Sequence, residues 1–371
     1  MNIRILLLSV LFISQVAVCQ LPGYIQQPQA SVMADSQKIS FALNAKSFFK
    51  NNEYFNPIEE GYTLIGYNIE PSLVFQPVKN ISIEAGGTFL KYSGRNGFHD
   101  IQPLFRFRYQ PSLKFQMVLG NLYGGSNHKL YEPLYRWERD FTHPQESGLQ
   151  FLINLPKLKA DVWLNWEKFI LHGDPFQEQL MVGISSSFLL NNESNGWQFS
   201  IPLQCLFKHQ GGQIISIDTS LVTLANVATG LKISKKNEHS TFKQIDMDLV
   251  FLGYADLSPN KQQQYENGYG FLAQVKAAIK DFSLGTGFYH SSKFMSPIGE
   301  VLYHSATYPK SDIYYKTLDL IIGKLSYQKQ IAKGFSLGAY FESFTKLSSG
   351  KTDYSYGVHL LANFDMLLAH Y

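Results

Sequence analysis

Long hydrophobic runs are the first thing that the sequence lacks. Beyond the first twenty of its 371 residues, no stretch approaches the roughly 18 consecutive apolar residues that a membrane-spanning helix needs. This excludes a helical membrane protein. Charged residues are also scarce, at 16% of the chain, against about 25% in ordinary globular domains. The formal net charge is only +3, so the composition does not point to nucleic acid as a partner.

Cysteine is nearly absent as well. The chain has two, Cys19 and Cys205, and Cys205 stands alone if a leader carrying Cys19 is removed. An intrachain disulfide and a cysteine-based metal cluster are then excluded. The sequence also contains no phosphate-binding loop, no zinc-ligand spacing and no basic nucleic-acid patch. We therefore predict no cofactor and no metal.

The N-terminus has the pattern of an export signal. Arg4 precedes an apolar segment over 5–18, and Ala17-Val18-Cys19 forms a plausible cleavage site. We predict a signal peptide over 1–19, which is removed, and an irregular periplasmic lead-in over 20–36. The alternative is a lipoprotein anchored through Cys19.

Aromatic residues are abundant, at 15% of the chain, and many recur at every second position. Between Phe105 and Tyr109, for example, aromatic side chains alternate with Arg106 and Arg108. A period of two indicates a β-strand whose neighbouring side chains point to opposite faces. In a transmembrane barrel the apolar face meets lipid, because an Arg or Lys facing lipid at mid-bilayer costs about 2–4 kcal/mol.

The same periodicity recurs almost to the end of the chain. It predicts strands over 37–49, 62–75, 81–92, 100–110, 113–122, 146–154, 160–171, 177–189, 196–206, 222–233, 241–253, 269–279, 282–291, 313–327, 335–346 and 354–366. Short connections alternate with mostly longer ones, as in bacterial outer-membrane barrels. The predicted fold is all-β, a transmembrane antiparallel up-and-down barrel of about 16 strands over 37–371.

Several stretches resemble known outer-membrane proteins. They are GYTLIGYNIEPSL (61–73), LNWEKFILHGDPFQEQL (164–180), HQGGQI (209–214) and the last strand before the terminal Tyr371. The chain resembles a porin-like outer-membrane β-barrel of a Gram-negative bacterium. This resemblance implies a location in outer-membrane lipid and passive passage of small polar solutes, without enzyme activity. It also leaves room for a homo-oligomer or a lipoprotein partner.

Polar side chains on the opposite strand face would line the lumen of such a barrel. The predicted lumen and constriction residues are Glu84, Arg106, Arg108, Lys114, Glu132, Glu138, Asp140, Asp161, Glu167, Asp246 and Asp248. In general porins the third external loop folds into the channel, and here the third external loop, 123–145, is the longest. Arg106, Arg108 and Lys114 would form a basic ladder on neighbouring strands, and a field between this ladder and the acidic residues would orient polar solutes. The alternative is a wall network in which Arg106 and Arg108 only pair with Glu84.

Two other function classes stay open. Some small outer-membrane barrels hydrolyse lipids with Ser and His at the outer rim, and His290-Ser291-Ser292 lies near the outer end of a predicted strand, with His304-Ser305 following. A hydrolase would need a Ser–His pair plus an acidic or amide residue that orients the His. The phase of the strand leaves open which serine faces lipid. The third class is a plugged barrel that acts as a surface binding or structural protein.

Overall fold

The computed structural model describes residues 36–143, 145–192, 196–212, 214, 219–237, 240–307 and 313–371. The predicted signal peptide, Cys19 and all of the lead-in except its last residue lie outside the described residues, so these expectations stay predictions. No helix among the described residues is long and apolar enough to cross a membrane.

Sixteen antiparallel strands form the structure. They are β1 (Lys38–Glu53), β2 (Tyr62–Val78), β3 (Ile81–Tyr92), β4 (Asp100–Ser112), β5 (Phe115–Asn121), β6 (Ser147–Asn154), β7 (Leu158–Lys168), β8 (Gln179–Leu189), β9 (Trp197–Gln210), β10 (Val222–Lys236), β11 (Gln244–Asp256), β12 (Asn267–Ile279), β13 (Phe282–Ser292), β14 (Thr317–Ala332), β15 (Phe335–Lys346) and β16 (Thr352–His370). Each strand pairs with its neighbours in the chain, and β1 pairs with β16, which closes the barrel. The predicted fold class is therefore confirmed.

The two-residue alternation assigns side chains to the two faces of the wall. On β4, Phe105 is 53% exposed on the outside, whereas Arg106 is only 8% exposed on the inside. The outer surface is apolar because it contacts lipid instead of water. The polar residues that alternate with the apolar ones point into the lumen.

The connections differ in length at the two ends of the barrel. At one end they are short, such as 79–80, 113–114 and 280–281, whereas the other end carries the long segments 122–146 and 293–316. Short turns lie on the periplasmic side of outer-membrane barrels and long loops on the extracellular side. β13 runs from the turn 280–281 to the segment 293–316, so its last residues lie at the extracellular end.

Two of the long connections fold into the lumen. We call residues 122–143 the first inserted loop and residues 293–307 the second. The first contains a one-turn 3₁₀ helix, Gly125–His128, and a one-turn α-helix, α1 (Arg139–Thr142); the second contains the 3₁₀ turn Val301–Tyr303. The first inserted loop reaches β9 through Tyr131 N, which donates to Gln204 Oε1 at 2.9 Å, and β1 through Glu138 and Lys50. Because β1 and β9 stand on opposite sides of the barrel, this loop crosses the lumen.

The two inserted loops pack against each other and against the wall. Arg136 N donates to Ile298 O at 2.7 Å, and Ser296 Oγ donates to Leu134 O at 3.3 Å. Leu134 and Phe294 are fully buried. The extracellular half of the lumen therefore contains a packed core with apolar side chains at its centre.

Candidate active site

The last residues of β13 place two polar side chains on the lipid-facing surface. Phe288 is exposed on the outside and Tyr289 is fully buried on the inside. His290 and Ser292 follow Phe288 at two-residue intervals, so they share its outer face, whereas Ser291 is fully buried in the lumen. The structure thereby resolves the strand phase, and Ser292 is the serine that lipid can reach.

Asp319 lies directly across from His290 on β14. His290 Nδ1 and Asp319 Oδ1 are 2.7 Å apart, and the two side chains are 36% and 38% exposed on the outer surface. A carboxylate that accepts a hydrogen bond from Nδ1–H fixes the tautomer of the ring, so that Nε2 is the nitrogen that can accept a proton.

Ser292 is two residues beyond His290 on the same strand face, about 7 Å further along the strand. Its cross-strand neighbours are Tyr269 on β12 and Thr317 on β14. The Tyr269 ring lies 6.3 Å from the His290 ring, between centroids, and is 50% exposed. Aromatic rings of this kind mark the level where lipid headgroups meet acyl chains.

Apolar side chains surround the three polar residues on the outer wall. Phe271 stands opposite His290 on β12, Phe288 precedes it on β13, and Ile321 follows Asp319 on β14; all three are exposed. An acyl chain lying against the barrel would contact this surface. Ionisable residues facing lipid are rare and usually functional, so the outer-face group Ser292, His290 and Asp319 is the candidate active site.

Asp319 is the member of this group that sequence analysis missed. The strand containing it was predicted to start at 313, four residues before β14 begins, so its facing was not assigned. The available signal was its spacing from Ile321 and Leu325, which are exposed on the lipid face. An acidic residue at an even spacing from lipid-facing apolar residues would itself face lipid, which departs from the usual barrel pattern.

The second His-Ser pair belongs to the interior. His304 is 2% exposed and Ser305 fully buried in the second inserted loop. Burial lowers the pKa of His304 to about 4. This pair has no access to lipid, so it does not qualify as the catalytic pair of a lipid hydrolase.

The predicted basic ladder is only partly assembled. Arg106 Nη1 pairs with Glu84 Oε2 at 2.7 Å, and Arg108 Nε donates to Ser82 Oγ at 3.1 Å. Both arginines are buried on the lumenal face. Lys114 does not join them, because it lies exposed in the turn 113–114, where the β4–β5 pairing has already ended.

The other predicted wall residues are held in local contacts. Asp161 binds His128, and Glu167 pairs with Lys208 Nζ at 3.0 Å. Asp246 Oδ2 accepts from Gln244 Nε2 at 2.8 Å, and Asp248 Oδ2 accepts from Gln274 Nε2 at 3.0 Å.

The three predicted loop acids lie inside the barrel. Glu132 binds Lys324 of β14, and Asp140 accepts from Ser126 N at 3.0 Å. Glu138 pairs with Lys50 Nζ at 2.7 Å; burial alone would raise its pKa, but Lys50 and Arg136 lower it to about 2. A role of any of the predicted lumen residues in a solute constriction stays a prediction.

His128 of the first inserted loop is enclosed by two carboxylates from outside that loop, those of Asp161 on β7 and of Glu146 just before β6. Its Nδ1 lies 2.8 Å from Asp161 Oδ2 and its Nε2 3.0 Å from Glu146 Oε2. The ring stacks on Trp163 with centroids 3.6 Å apart. Burial by itself would lower the pKa of His128, but the Asp161 and Glu146 carboxylates raise it to about 10. The ring is therefore a buried cation at neutral pH.

This geometry predicts a pH-dependent stability. The folded pKa exceeds the ordinary value of 6.5, so the stabilisation by His128 is complete below about pH 6.5 and is lost as the pH rises towards 10. Urea unfolding of wild type and His128→Gln, followed by tryptophan fluorescence, measures it. The difference in free energy of unfolding should shrink across that range. A difference that stays constant from pH 6.5 to 10 would contradict the ion-pair assignment.

No group of three or more His, Cys, Asp or Glu side chains is arranged to hold a metal ion in the part of the chain that the structure describes.

Solved structures with the same architecture are outer-membrane proteins. The barrel is similar to a loop L8 deletion mutant of OmpT, an outer membrane protein of Vibrio cholerae, with a TM-score of 0.53, 7% identity, and coverage of 89% of this chain and 100% of that chain. It is also similar to the outer membrane protein OprD of Pseudomonas aeruginosa, with a TM-score of 0.51, 8% identity, and coverage of 92% and 98%. At such identities the likeness concerns the fold, and it confirms the predicted outer-membrane barrel of a Gram-negative bacterium.

No curated protein matches the sequence. A family model described as Lipid A 3'-O-deacylase-type matches residues 30–371, nearly the whole chain. This is an enzyme family, so the prediction that the protein is not an enzyme is wrong. The sequence-based resemblance to porins reflected the shared barrel, which enzymes and channels of the outer membrane both use. The chain belongs to the Lipid A 3'-O-deacylase-type family.

Proposed function

We propose that the protein is an outer-membrane ester hydrolase that removes an acyl chain from a lipid of the outer leaflet, with lipid A as the substrate that the family suggests. The observation that carries the proposal is the His290–Asp319 pair on the lipid-facing wall, 2.7 Å between Nδ1 and Oδ1, with Ser292 on the same face. Ser292 would be the nucleophile, His290 the general base and acid, and Asp319 the residue that orients the ring.

The first step forms an acyl-enzyme. Ser292 Oγ attacks the ester carbonyl carbon of the lipid while His290 Nε2 takes the hydroxyl proton. The tetrahedral intermediate collapses by breaking the bond to the lipid alkoxide, which leaves with the proton from His290. Asp319 stabilises the imidazolium that exists between these two transfers. The acyl chain remains as an ester on Ser292.

The second step restores the enzyme. A water molecule gives a proton to His290 Nε2 and attacks the acyl carbonyl, and Ser292 leaves with that proton. The products are a free fatty acid and a lipid that carries one hydroxyl in place of an ester. Water can approach because Ser292 is the last residue of β13, at the extracellular end of the strand.

The position of the site on the wall supports a lipid substrate. Ester bonds of membrane lipids lie between the headgroups and the hydrocarbon chains, the level that the exposed ring of Tyr269 marks here. The substrate would diffuse laterally in the leaflet, with its acyl chains along the Phe271 and Phe288 surface. It would not need to enter the lumen.

Mass spectrometry of a defined reaction tests the proposal. The purified protein is incubated with lipopolysaccharide in mixed micelles, and the lipid A portion and the free fatty acids are analysed. We expect loss of one ester-linked acyl chain and release of a matching amount of free fatty acid. Unchanged lipid A, together with intact glycerophospholipids offered in parallel, would contradict a lipid hydrolase.

Passive passage of solutes, the function predicted from the sequence, has weaker support. The fold permits it, but the two inserted loops pack a buried core across the extracellular half of the lumen, with Leu134 and Phe294 fully buried. We therefore predict that single barrels in a planar bilayer show little or no stable conductance. Sustained channels of porin size in the wild type would support the transport function instead.

A further inference from the structure

We propose that Tyr289, from inside the lumen, is a positioning residue for the lipid-facing site, and that it acts by fastening the end of β13 to the second inserted loop. This inference rests on the proposed hydrolase function. It assigns a catalytic support role to a loop that no lipid contacts.

The link begins one residue from His290. Tyr289 is fully buried, and its hydroxyl donates to Tyr303 O of the second inserted loop at 2.9 Å. The two tyrosine rings also meet edge to face, with centroids 4.9 Å apart. Because His290 and Tyr289 are consecutive residues of one strand, fixing the inner side chain fixes the backbone from which the catalytic ring projects.

A second set of contacts holds the chain just after Ser292. The backbone turns inwards at Lys293, whose φ of 56° lies in the left-handed region. The next residue, Phe294, forms two hydrogen bonds with Ser305: Ser305 N donates to Phe294 O at 2.7 Å, and Phe294 N donates to Ser305 Oγ at 3.1 Å. The segment His290–Ser292 is thus flanked by two contacts with residues 303–305, one through the Tyr289 side chain and one through the Phe294 backbone.

The second inserted loop is anchored, through Glu132 of the first inserted loop, to β14, the strand next to β13. Tyr303 donates its hydroxyl to Glu132 Oε2 at 3.0 Å, and the same carboxylate binds Lys324 of β14. β14 also carries Asp319. The inner contacts therefore connect the strand that bears Ser292 and His290 to the strand that bears the orienting acid.

Such support matters because catalysis is more sensitive to geometry than folding is. A shift of about 1 Å in a reacting group can cost about a hundredfold in rate. Loss of one hydrogen bond behind the wall leaves the apolar outer surface, and hence substrate binding, unchanged. The predicted signature is a fall in kcat without a rise in KM.

Tyr289→Phe tests this, with Tyr92→Phe as its matched control. Tyr92 on β3 likewise donates its hydroxyl, at 3.2 Å, to a carbonyl of an inserted loop, Phe141 O, but far from β13. We expect Tyr289→Phe to lower kcat about tenfold or more, with KM within about twofold of wild type, and Tyr92→Phe to keep both near wild type. Folding of each variant is checked by its mobility on unheated gels.

The outcomes separate the inference from the function on which it rests. If the wild type releases no fatty acid, the proposed function fails. If the wild type is active and Tyr289→Phe matches Tyr92→Phe, or if both variants lose kcat equally, the positioning role is wrong. Should Tyr289→Phe not fold, Ser305→Ala provides the same comparison against Tyr92→Phe, with the same kcat and KM expected.

Discussion

Replacing Ser292 by Ala should reduce the rate of fatty acid release by about 10⁴-fold to 10⁶-fold, because no other group can form the acyl-enzyme. Substrate binding should persist, since the apolar wall around Phe271 and Phe288 is unchanged. Time courses of fatty acid release under saturating and subsaturating lipid measure both quantities. The expected result is a loss confined to kcat.

The control for this variant is Ser343→Ala. Ser343 is also an outer-wall serine, on β15, where its hydroxyl lies 3.4 Å from Gly323 O, two strands away from the candidate nucleophile. It should keep wild-type kcat and KM. Full activity in Ser292→Ala would show that the reaction uses another nucleophile, and equal losses in both variants would indicate a nonspecific effect on the wall.

Lys324→Ala should lower the free energy of unfolding strongly. The Lys324 ammonium is 2.8 Å from Glu342 Oε1 and also binds Glu132, and all three groups are largely shielded from water. Without the lysine, two carboxylates remain buried and close together. Removing one partner of a buried pair costs about 3–5 kcal/mol, a large share of a typical stability of about 5–15 kcal/mol.

The Lys324→Ala substitution should change the packing of the lumen as well as the unfolding curve. Glu132 belongs to the first inserted loop, so its release from the wall should loosen the packed core and increase ion conductance. Lys329→Ala is the control, because Lys329 is exposed on the same strand. If Lys324→Ala unfolds at the wild-type urea concentration and its conductance does not rise, the lysine does not anchor the loop.

The barrel was predictable from the sequence because lipid imposes a simple rule. Every strand from Lys38–Glu53 to Thr352–His370 overlaps a predicted strand, since alternation of apolar and polar residues determines both strand and facing. Strand ends were harder to predict. Lys114 continued the alternation on paper but lies in a turn, because the β4–β5 hairpin closes over two residues that the pattern cannot distinguish from strand.

The packed lumen could not be predicted in the same way. The first inserted loop has no two-residue periodicity. Its contacts with Lys50, Gln204 and Lys324 join residues that are between 73 and 192 positions apart in the sequence. Such contacts arise because the closed barrel of sixteen strands brings residues that are distant in the sequence to the same lumen. The predicted acidic loop residues did lie inside, Glu132 and Glu138 in ion pairs with the wall and Asp140 in a hydrogen bond to Ser126 of the same loop.

The candidate site was predictable from the sequence only in part. His290 and the two serines were visible as a rim motif, and the need for an orienting acid was clear. Their facing and the identity of the acid depended on the registration of β13 against β14, which places His290 opposite Asp319. A shift of one residue would have directed Ser291 to lipid instead.

The most direct test of the account is to identify the serine that a long-chain alkyl fluorophosphonate modifies. Reaction forms a bond between the serine oxygen and phosphorus and releases fluoride. Trypsin then yields the peptide Asp281–Lys293, whose fragment ions distinguish Ser291 from Ser292. We predict a single label on Ser292, formed at a rate that falls in Asp319→Asn. A label on Ser291 or elsewhere, or no label in protein that releases fatty acid, would contradict the assignment of Ser292, His290 and Asp319 as the active site.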